Sequence, residues 1–579
     1  MATAFLARSL GLAGALLLSA CATTAPAPRA STQPFVFDAG MVSAADPRAA
    51  EAGAQMLRQG GSATDAAIAT MLALTVVEPQ SSGIGGGGFY VHAKADGRVD
   101  TLDGRETAPA AATPRRFLDS AGTPLPFRKA VVGGLSVGVP GNMALAAKAH
   151  ARDGKLPWAN LFAPAIRLAA QGYTLTPRGY DMLARQPGSG AHRPVARALY
   201  YGADGKPLAV GTLIRNPQLA ATLRMLARKG AQAFYQGPLA RAIVAQVAAE
   251  TPQDGRMTPA DVSGYDAKDR AAPCGTYRVY RICGMGPPSS GETTVLAILD
   301  ALEGFDLAAL GPDSPTAWHL FVEAQRLAYA DREAYLGDPD FVTVPLSGLT
   351  DHAYLTARGQ AIRPDRRMAS ATAGSPPGSA GLARVDAPGY PENGTSHLVV
   401  VDRAGEVVTY TSTIESAFGS GLFVGGFYLN NELTDFDFAP DRKGRASANR
   451  VEGGKRPRSS MAPTLVYGPD GKLLVAIGAA GGATIPVQVA RALIGFLDWK
   501  LPIDQALALP MVFAPGDTVT VEQGTRAEAM IPALEKLGHT VRVGELPLKT
   551  NAIAVIGGSA GARLQGAADP RSEGRAIAQ

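Results

Sequence analysis

Two apolar-rich runs, Thr395 to Asp402 and Glu406 to Thr413, flank Arg403-Ala404-Gly405 and read as the strands of a hairpin. A three-residue loop with glycine in its left-handed position is a favoured connection of this kind. If Asp402 pairs with Glu406, paired residue numbers sum to a constant and Thr395 falls opposite Thr413. A bulge or a longer loop would shift that register. Upstream, Asp46-Pro47 supplies an N-cap and a first-turn proline for a helix running through Leu57 and stopped by Gly60-Gly61. A second helix is expected from about Thr64 to Val77, then a glycine cluster, then a hairpin of Phe89–Ala93 against Val99–Asp103 turning at Ala95-Asp96-Gly97. The region from about Leu156 to Leu310 reads as mostly helical, with one strand, Thr276 to Arg281, inside it. From Arg367 to Gly394 the chain is rich in Ser, Ala, Gly and Pro, which predicts a mobile segment without a core. Beyond Thr395 strands dominate at first, and helices return from Ile485. The order helices, strands, strands, helices predicts an α/β chain of the α+β type, with two stacked sheets between helical layers.

Composition changes this picture little. With 579 residues and a formal net charge of +5 spread along the chain, a large core is assured and no basic stripe suggests nucleic acid. The amino terminus is more informative. An apolar run from Leu10 to Ala20 follows Arg8, is too short to span a bilayer, and closes as Leu18-Ser19-Ala20-Cys21. That pattern is similar to a bacterial lipoprotein signal: residues 1–20 would be removed, Cys21 would carry lipid, and residues 21–35 would form a flexible tether. A plain secretory signal containing a cysteine is the other reading. Ala22 supplies no retention signal of the aspartate type, so the expected location is the periplasmic face of the outer membrane. Cys274 and Cys283 flank the expected strand and could form a local disulfide in an oxidising compartment. The seven histidines are scattered, and neither a catalytic metal nor a cofactor is expected.

The chemistry is expected at Thr395. A threonine hydroxyl is a poor nucleophile unless a base lies beside it, and a free α-amine on the same residue can be that base. Cleavage between Gly394 and Thr395 would create that amine. The bland reading of these residues alone is a Thr-rich surface hairpin. Two other motifs mislead. The glycines from Gly83 to Gly88 match G-x-G-x-x-G but follow a helix and open a strand, the reverse of a dinucleotide site, so they are read as permitting close backbone packing. Gly134 to Gly138 matches G-x-S-x-G, but Val139-Pro140-Gly141 allows no strand-to-helix elbow behind Ser136.

Several separate strings carry a resemblance to one family: Gly60-Gly61-Ser62-Ala63-Thr64-Asp65-Ala66-Ala67, Arg105-Glu106-Thr107-Ala108-Pro109, Pro287-Pro288-Ser289-Ser290-Gly291, Leu429-Asn430-Asn431-Glu432, Lys455-Arg456-Pro457-Arg458-Ser459-Ser460-Met461 and Asp569-Pro570-Arg571-Ser572. From about Asp38 to Ser572 the chain resembles the γ-glutamyltransferases, which are N-terminal nucleophile hydrolases. The resemblance implies a four-layer αββα fold and a precursor that cuts itself into a large subunit, residues 36–394, and a small one, residues 395–579. The two remain associated as a heterodimer.

By the same resemblance Thr395 is the nucleophile, Thr413 its supporting threonine, and Gly481 and Gly482 the oxyanion hole. Arg105 would bind the donor's α-carboxylate with Ser459 and Ser460, and Asp435 with Glu415 and Glu432 would hold its α-ammonium. A γ-glutamyl donor such as glutathione would then acylate Thr395, and water or an amino acid or peptide would accept the acyl group. Two features depart from some members: Glu415 stands where they have asparagine, and the loop from Phe436 to Gly454, which resembles a lid, has no tyrosine and looks short. The enzyme alternative is a glutaryl-type β-lactam acylase of the same fold, against which the acidic trio argues because an unpaired carboxylate cluster is costly to bury. A surface lipoprotein that binds γ-glutamyl compounds without processing is the alternative of another class.

Overall fold

The computed structural model describes residues 37–252, 255–382, 394–442, 444–557 and 561–579. The expected leader and tether, with Cys21, and residues 383–393 lie outside them. The first helix, α1 (Pro47–Arg58), starts at the Asp46 cap, and α2 (Ala63–Val77) starts at a capping box in which the Ser62 hydroxyl and the Asp65 carboxylate satisfy each other's backbone N–H. All fifteen residues of α2 are buried, so this helix is core on every side.

Thirteen strands build two antiparallel sheets. They are β1 (Met41–Ala44), β2 (Gly87–Ala93), β3 (Val99–Gly104), β4 (Lys268–Arg270), β5 (Cys274–Tyr277), β6 (Tyr280–Gly284), β7 (Ser396–Val401), β8 (Val407–Thr413), β9 (Thr464–Tyr467), β10 (Leu473–Ala480), β11 (Lys549–Ile556), β12 (Arg563–Ala568) and β13 (Arg575–Ala578). One sheet runs β13-β1-β7-β8-β2-β3-β4 and the other β12-β11-β10-β9-β6-β5. Strand β7 is buried on both faces: Leu398 and Val400 pack with α1 and α2, whereas Val399 and Val401 pack with Ile282, Leu465 and Ile477 of the second sheet. The second sheet is covered in turn by α3 (Gly291–Ala301), α4 (Pro315–Tyr335) and α5 (Ile485–Leu497). The layers are therefore α, β, β, α, as expected.

Two expectations are corrected. The cysteine-flanked strand is a hairpin, with Cys274 opposite Cys283 and Tyr277 opposite Tyr280; a disulfide joins the two cysteines. The turn forms because Arg278 takes φ +54°, held there by bonds to Glu303 and Asp498. Residues 367–382 are not free either. Arg367 N–H donates to the Leu537 carbonyl at 2.8 Å, Met368 N–H to Glu323 at 2.6 Å and Gly374 N–H to Asp331 at 2.7 Å. A segment without a core of its own is pinned through its backbone by carboxylates of α4. Among the described residues no helix is long and apolar enough to cross a membrane.

Candidate active site

The β7–β8 ladder ends with Ser396 opposite Ser412, so Thr395 and Thr413 are the next facing residues, and their hydroxyl oxygens lie 2.9 Å apart. The hairpin register read from the sequence holds. The Thr413 oxygen also accepts the N–H of Glu415 at 2.8 Å, and its own hydrogen is available to the Thr395 oxygen. The Thr395 N–H donates to the Ser81 carbonyl at 2.8 Å, and that carbonyl accepts Ile414 N–H at 3.2 Å. One carbonyl in the turn after α2 thus fixes both strand ends.

Thr395 is 2 % exposed and sits at φ +97°, an outlying conformation for a β-branched residue. Glu415 follows the same pattern at φ +74°. Each such residue stores on the order of 1–3 kcal/mol. Gly394 is pressed so closely on Glu415 that a Cβ there would lie 1.9 Å from the Glu415 carbonyl oxygen. Only glycine fits before Thr395. His397 supplies no base to the pair: its ring nitrogens face the Thr411 and Thr409 hydroxyls at 2.8 and 3.2 Å, and burial pushes the imidazole down to about 3.

Gly481 and Gly482 follow β10 and open a single 3-10 turn, where the first N–H groups have no intrahelical acceptor. Both have positive φ, +125° and +60°, and a Cβ on Gly481 would lie 2.0 Å from the Pro547 carbonyl oxygen. Gly394 and Gly481 line one cleft of about 590 Å³, together with Arg178, Ala417, Pro547 and Lys549. Gly394, before the expected cut, and Gly481, one of the two expected oxyanion donors, therefore face a common space.

The charged residues gather on the other side of Thr413. Arg105, at the end of β3, is buried; its guanidinium pairs with Glu432 and Asp435 and donates to the Pro457 and Arg458 carbonyls at 3.2 and 3.1 Å. Glu415 accepts from the Asn431 amide, which links it to the Glu432 turn. Burial, reinforced by Asp435, pushes the Glu415 carboxyl up to about 8. Burial also pushes Glu432 well above the usual range, with Arg105 pulling the other way. Buried Glu106 is driven up to about 7 by burial, again opposed by Arg105. Four carboxyl groups thus surround one guanidinium. Ser459 and Ser460 follow the carbonyls that hold Arg105, but their hydroxyls are turned elsewhere: Ser459 Oγ accepts Met461 N–H at 3.1 Å and Ser460 Oγ accepts from Arg332 at 2.7 Å. In the uncut chain Arg105, Glu432 and Asp435 do not line the cleft that holds Gly394.

Comparison with known proteins gives the family. The gamma-glutamyltranspeptidase family model matches residues 49–579. The chain belongs to this family. A glutathione hydrolase proenzyme of Bacillus subtilis (strain 168) is 36 % identical over 555 residues, covering 93 % of this chain and 91 % of the relative. An acylase ACY 1 proenzyme of Pseudomonas sp. (strain SE83) is 34 % identical over 546 residues, covering 93 % of each. Among solved structures, the cephalosporin acylase from Bacillus halodurans superposes with a TM-score of 0.81 at 26 % identity, covering 97 % of this chain and 99 % of that one.

Sequence reasoning missed several residues that build the site. Asn430 and Asn431 belong to the Leu429–Glu432 motif; Asn430 bonds Gly85, Gly138 and Glu432 and so holds the acidic turn against the glycine cluster. That cluster follows α2 and opens β2, with its backbone packed closely against Thr413 and Tyr428. Ser136 is buried, and its hydroxyl donates to the Val131 carbonyl at 2.6 Å. The loop 436–454 is tied back by a short hairpin of Asp441–Arg442 with Arg445–Ala446. Phe436, Phe438 and Val451 pack on Phe117 beneath it.

Proposed function

We propose that this chain is the precursor of a γ-glutamyltransferase with glutathione hydrolase activity, and that Thr395 is both the processing and the catalytic nucleophile. The observation that carries this reading is the Thr395–Thr413 hydroxyl pair at 2.9 Å, beside a Gly394 junction that shares a cleft with Gly481. In processing, Thr395 Oγ attacks the Gly394 carbonyl carbon, the peptide C–N bond breaks as the nitrogen takes a proton, and water hydrolyses the resulting ester. Cleavage also frees Thr395 from its outlying φ, so stored strain favours the step.

In turnover the new Thr395 amine takes the hydroxyl proton, Thr395 attacks the donor's γ-amide carbon, and the N–H groups of Gly481 and Gly482 stabilise the oxyanion, at roughly 3–4 kcal/mol for such a donor. The amine leaves protonated, and the γ-glutamyl ester passes to water or to an amino acid or peptide amine. Charge complementarity favours a zwitterionic donor. Its α-carboxylate takes over the Arg105 fork while its α-ammonium takes Asp435, Glu432 and Glu415, so one buried ion-pair set is exchanged for two. Ser459 and Ser460 would join at the carboxylate. A glutaryl side chain lacks the ammonium and would leave Asp435 without a cationic partner once the donor's carboxylate has taken Arg105. Preference for a glutaryl anilide over a γ-glutamyl anilide would overturn this assignment in favour of the acylase reading.

Residues 36–394 and 395–579 are then the two subunits. Cys21 is proposed as the lipid-bearing residue of a protein at the periplasmic face of the outer membrane, tested by metabolic fatty-acid labelling that Cys21→Ala should abolish. The deciding experiment is the intact mass of the purified protein with and without Thr395→Ala. Two fragments divided at Gly394/Thr395 are expected for the parent and one chain for the variant. An uncut, inactive parent refutes the reading.

A further inference from the structure

Behind the threonine pair lies a buried ion pair with no part in the chemistry above. Lys549, the first residue of β11, places its ammonium 2.7 Å from Oε2 of Glu78, the residue that ends α2. The same oxygen accepts the Ser396 hydroxyl at 2.5 Å, and Lys549 Nζ lies 3.5 Å from that hydroxyl. Ser396 directly follows Thr395, and Glu78 begins the turn whose Ser81 carbonyl holds the Thr395 nitrogen. Lys549 also lines the cleft shared by Gly394 and Gly481. Ion pairs this deeply buried are weak contributors to stability, because desolvation offsets their attraction. Packing alone would be served as well by an apolar side chain of similar length.

We propose that Lys549, paired with Glu78 across Ser396, is a positioning residue that keeps the amine released at Thr395 unprotonated and therefore basic. The inference rests on the reading of Thr395 as an amino-terminal nucleophile. An unperturbed α-amine titrates near 7.7–8.0 and is mostly protonated at neutral pH. A cation held one residue away disfavours a second positive charge there. Burial pulls the Lys549 ammonium down to about 8, and Glu78 opposes this, so the lysine is still charged at neutral pH. The other groups facing this cluster are Arg178, whose Nε is 3.8 Å from Glu78, and Asp46, which acts on Lys549. Asp181, Arg185, Glu545, Arg571 and Glu573 line the cleft beyond them. On the strands, His397 is held neutral and Glu415 lies past Thr413. Lys549 and Glu78 are the pair joined to Ser396 itself.

The test is the titration of the Thr395 amine in mature enzyme, read from the pH dependence of its carbamoylation by cyanate and the mass of the small subunit's first peptide. The kcat–pH profile on a γ-glutamyl anilide is measured beside it. Lys549→Met should move the amine's pKa and the acid limb of kcat upward by on the order of one unit, about tenfold less free amine at a given pH on that limb. Lys549→Arg should keep the parent values. A pKa position does not depend on the fraction of protein that matures, so partial processing does not obscure it. If Lys549→Met yields no mature enzyme, Lys549→Gln decides: its amine pKa should rise in the same way. An amine pKa unmoved or lowered in whichever neutral Lys549 variant matures overturns the inference while the parent still cuts itself and turns over; an uncut parent refutes the nucleophile reading instead.

Discussion

Replacing Thr413 with valine removes one hydroxyl and little else, because the two side chains are nearly isosteric and the site is buried. Two bonds disappear: the 2.9 Å contact to the Thr395 oxygen and the 2.8 Å acceptance of Glu415 N–H. The first stabilises the Thr395 oxygen as it gives up its proton ahead of attack, and bonds to charged groups contribute about 1.5–3 kcal/mol. That corresponds to about a 10- to 150-fold slower acyl step. The second leaves a buried N–H orphaned on a residue already at positive φ, which costs about 1–3 kcal/mol of stability. Both effects predict slower self-cleavage in Thr413→Val, followed over time on a denaturing gel, and a matching loss of kcat in whatever matures. Thr413→Ser keeps the oxygen and should stay within a few-fold of the parent on both measures. A valine variant that cuts and turns over as fast as the parent, with an unchanged melting temperature, would refute the donor role of Thr413.

Gly481→Ala forces a Cβ to within 2.0 Å of the Pro547 carbonyl at a φ of +125°, so the oxyanion N–H must shift, and kcat should drop about 100-fold or more on a γ-glutamyl anilide. Asp435→Asn weakens the ammonium site while keeping shape, and should lower kcat/KM for γ-glutamyl anilide at least about 30-fold while narrowing the gap to glutaryl anilide. Glu292 is fully buried with the Thr464 hydroxyl as its partner at 2.8 Å, and burial raises its carboxyl from 4.5 to about 8. The folded state therefore holds that proton after the unfolded chain has lost it, so the stability it supports is lost as pH rises from 4.5 towards 8. Urea midpoints of Glu292→Gln should fall less steeply than the parent's across that window.

Local signals were legible wherever a short stretch determines its own geometry. The Asp46 cap set the start of α1, and the Arg403-Ala404-Gly405 loop fixed a register that put Thr395 beside Thr413 eighteen residues away. What escaped were contacts whose partners are far apart in sequence. Lys549 meets Glu78 across 471 positions, and Arg105 meets Glu432 and Asp435 across 327 and 330, so no periodicity or spacing announces either. The turn at Arg278 was hidden for a different reason: an arginine takes the conformation usually left to glycine, because Glu303 and Asp498 reward it. Likewise the low-complexity composition of residues 367–382 spoke of a missing core but said nothing about the carboxylates waiting on α4.

The strand order of the first sheet carries one more consequence. Reading across it, β13, then β1, then β7 and β8, then β2, the strands alternate between the parts of the chain before and after Thr395. In the second sheet β9 lies against β6 across the same divide. A cut at Thr395 therefore severs the covalent thread without opening a seam, since separation would require unzipping four ladders at once. It also removes the connectivity that brought those ladders together. Denatured mature enzyme would have to find its partner by diffusion and interleave strands from two molecules, whereas the uncut Thr395→Ala chain carries all of them on one string. The fold is thus assembled under one set of instructions and preserved under another, and its recovery after denaturation should depend on whether the thread was intact when it was lost.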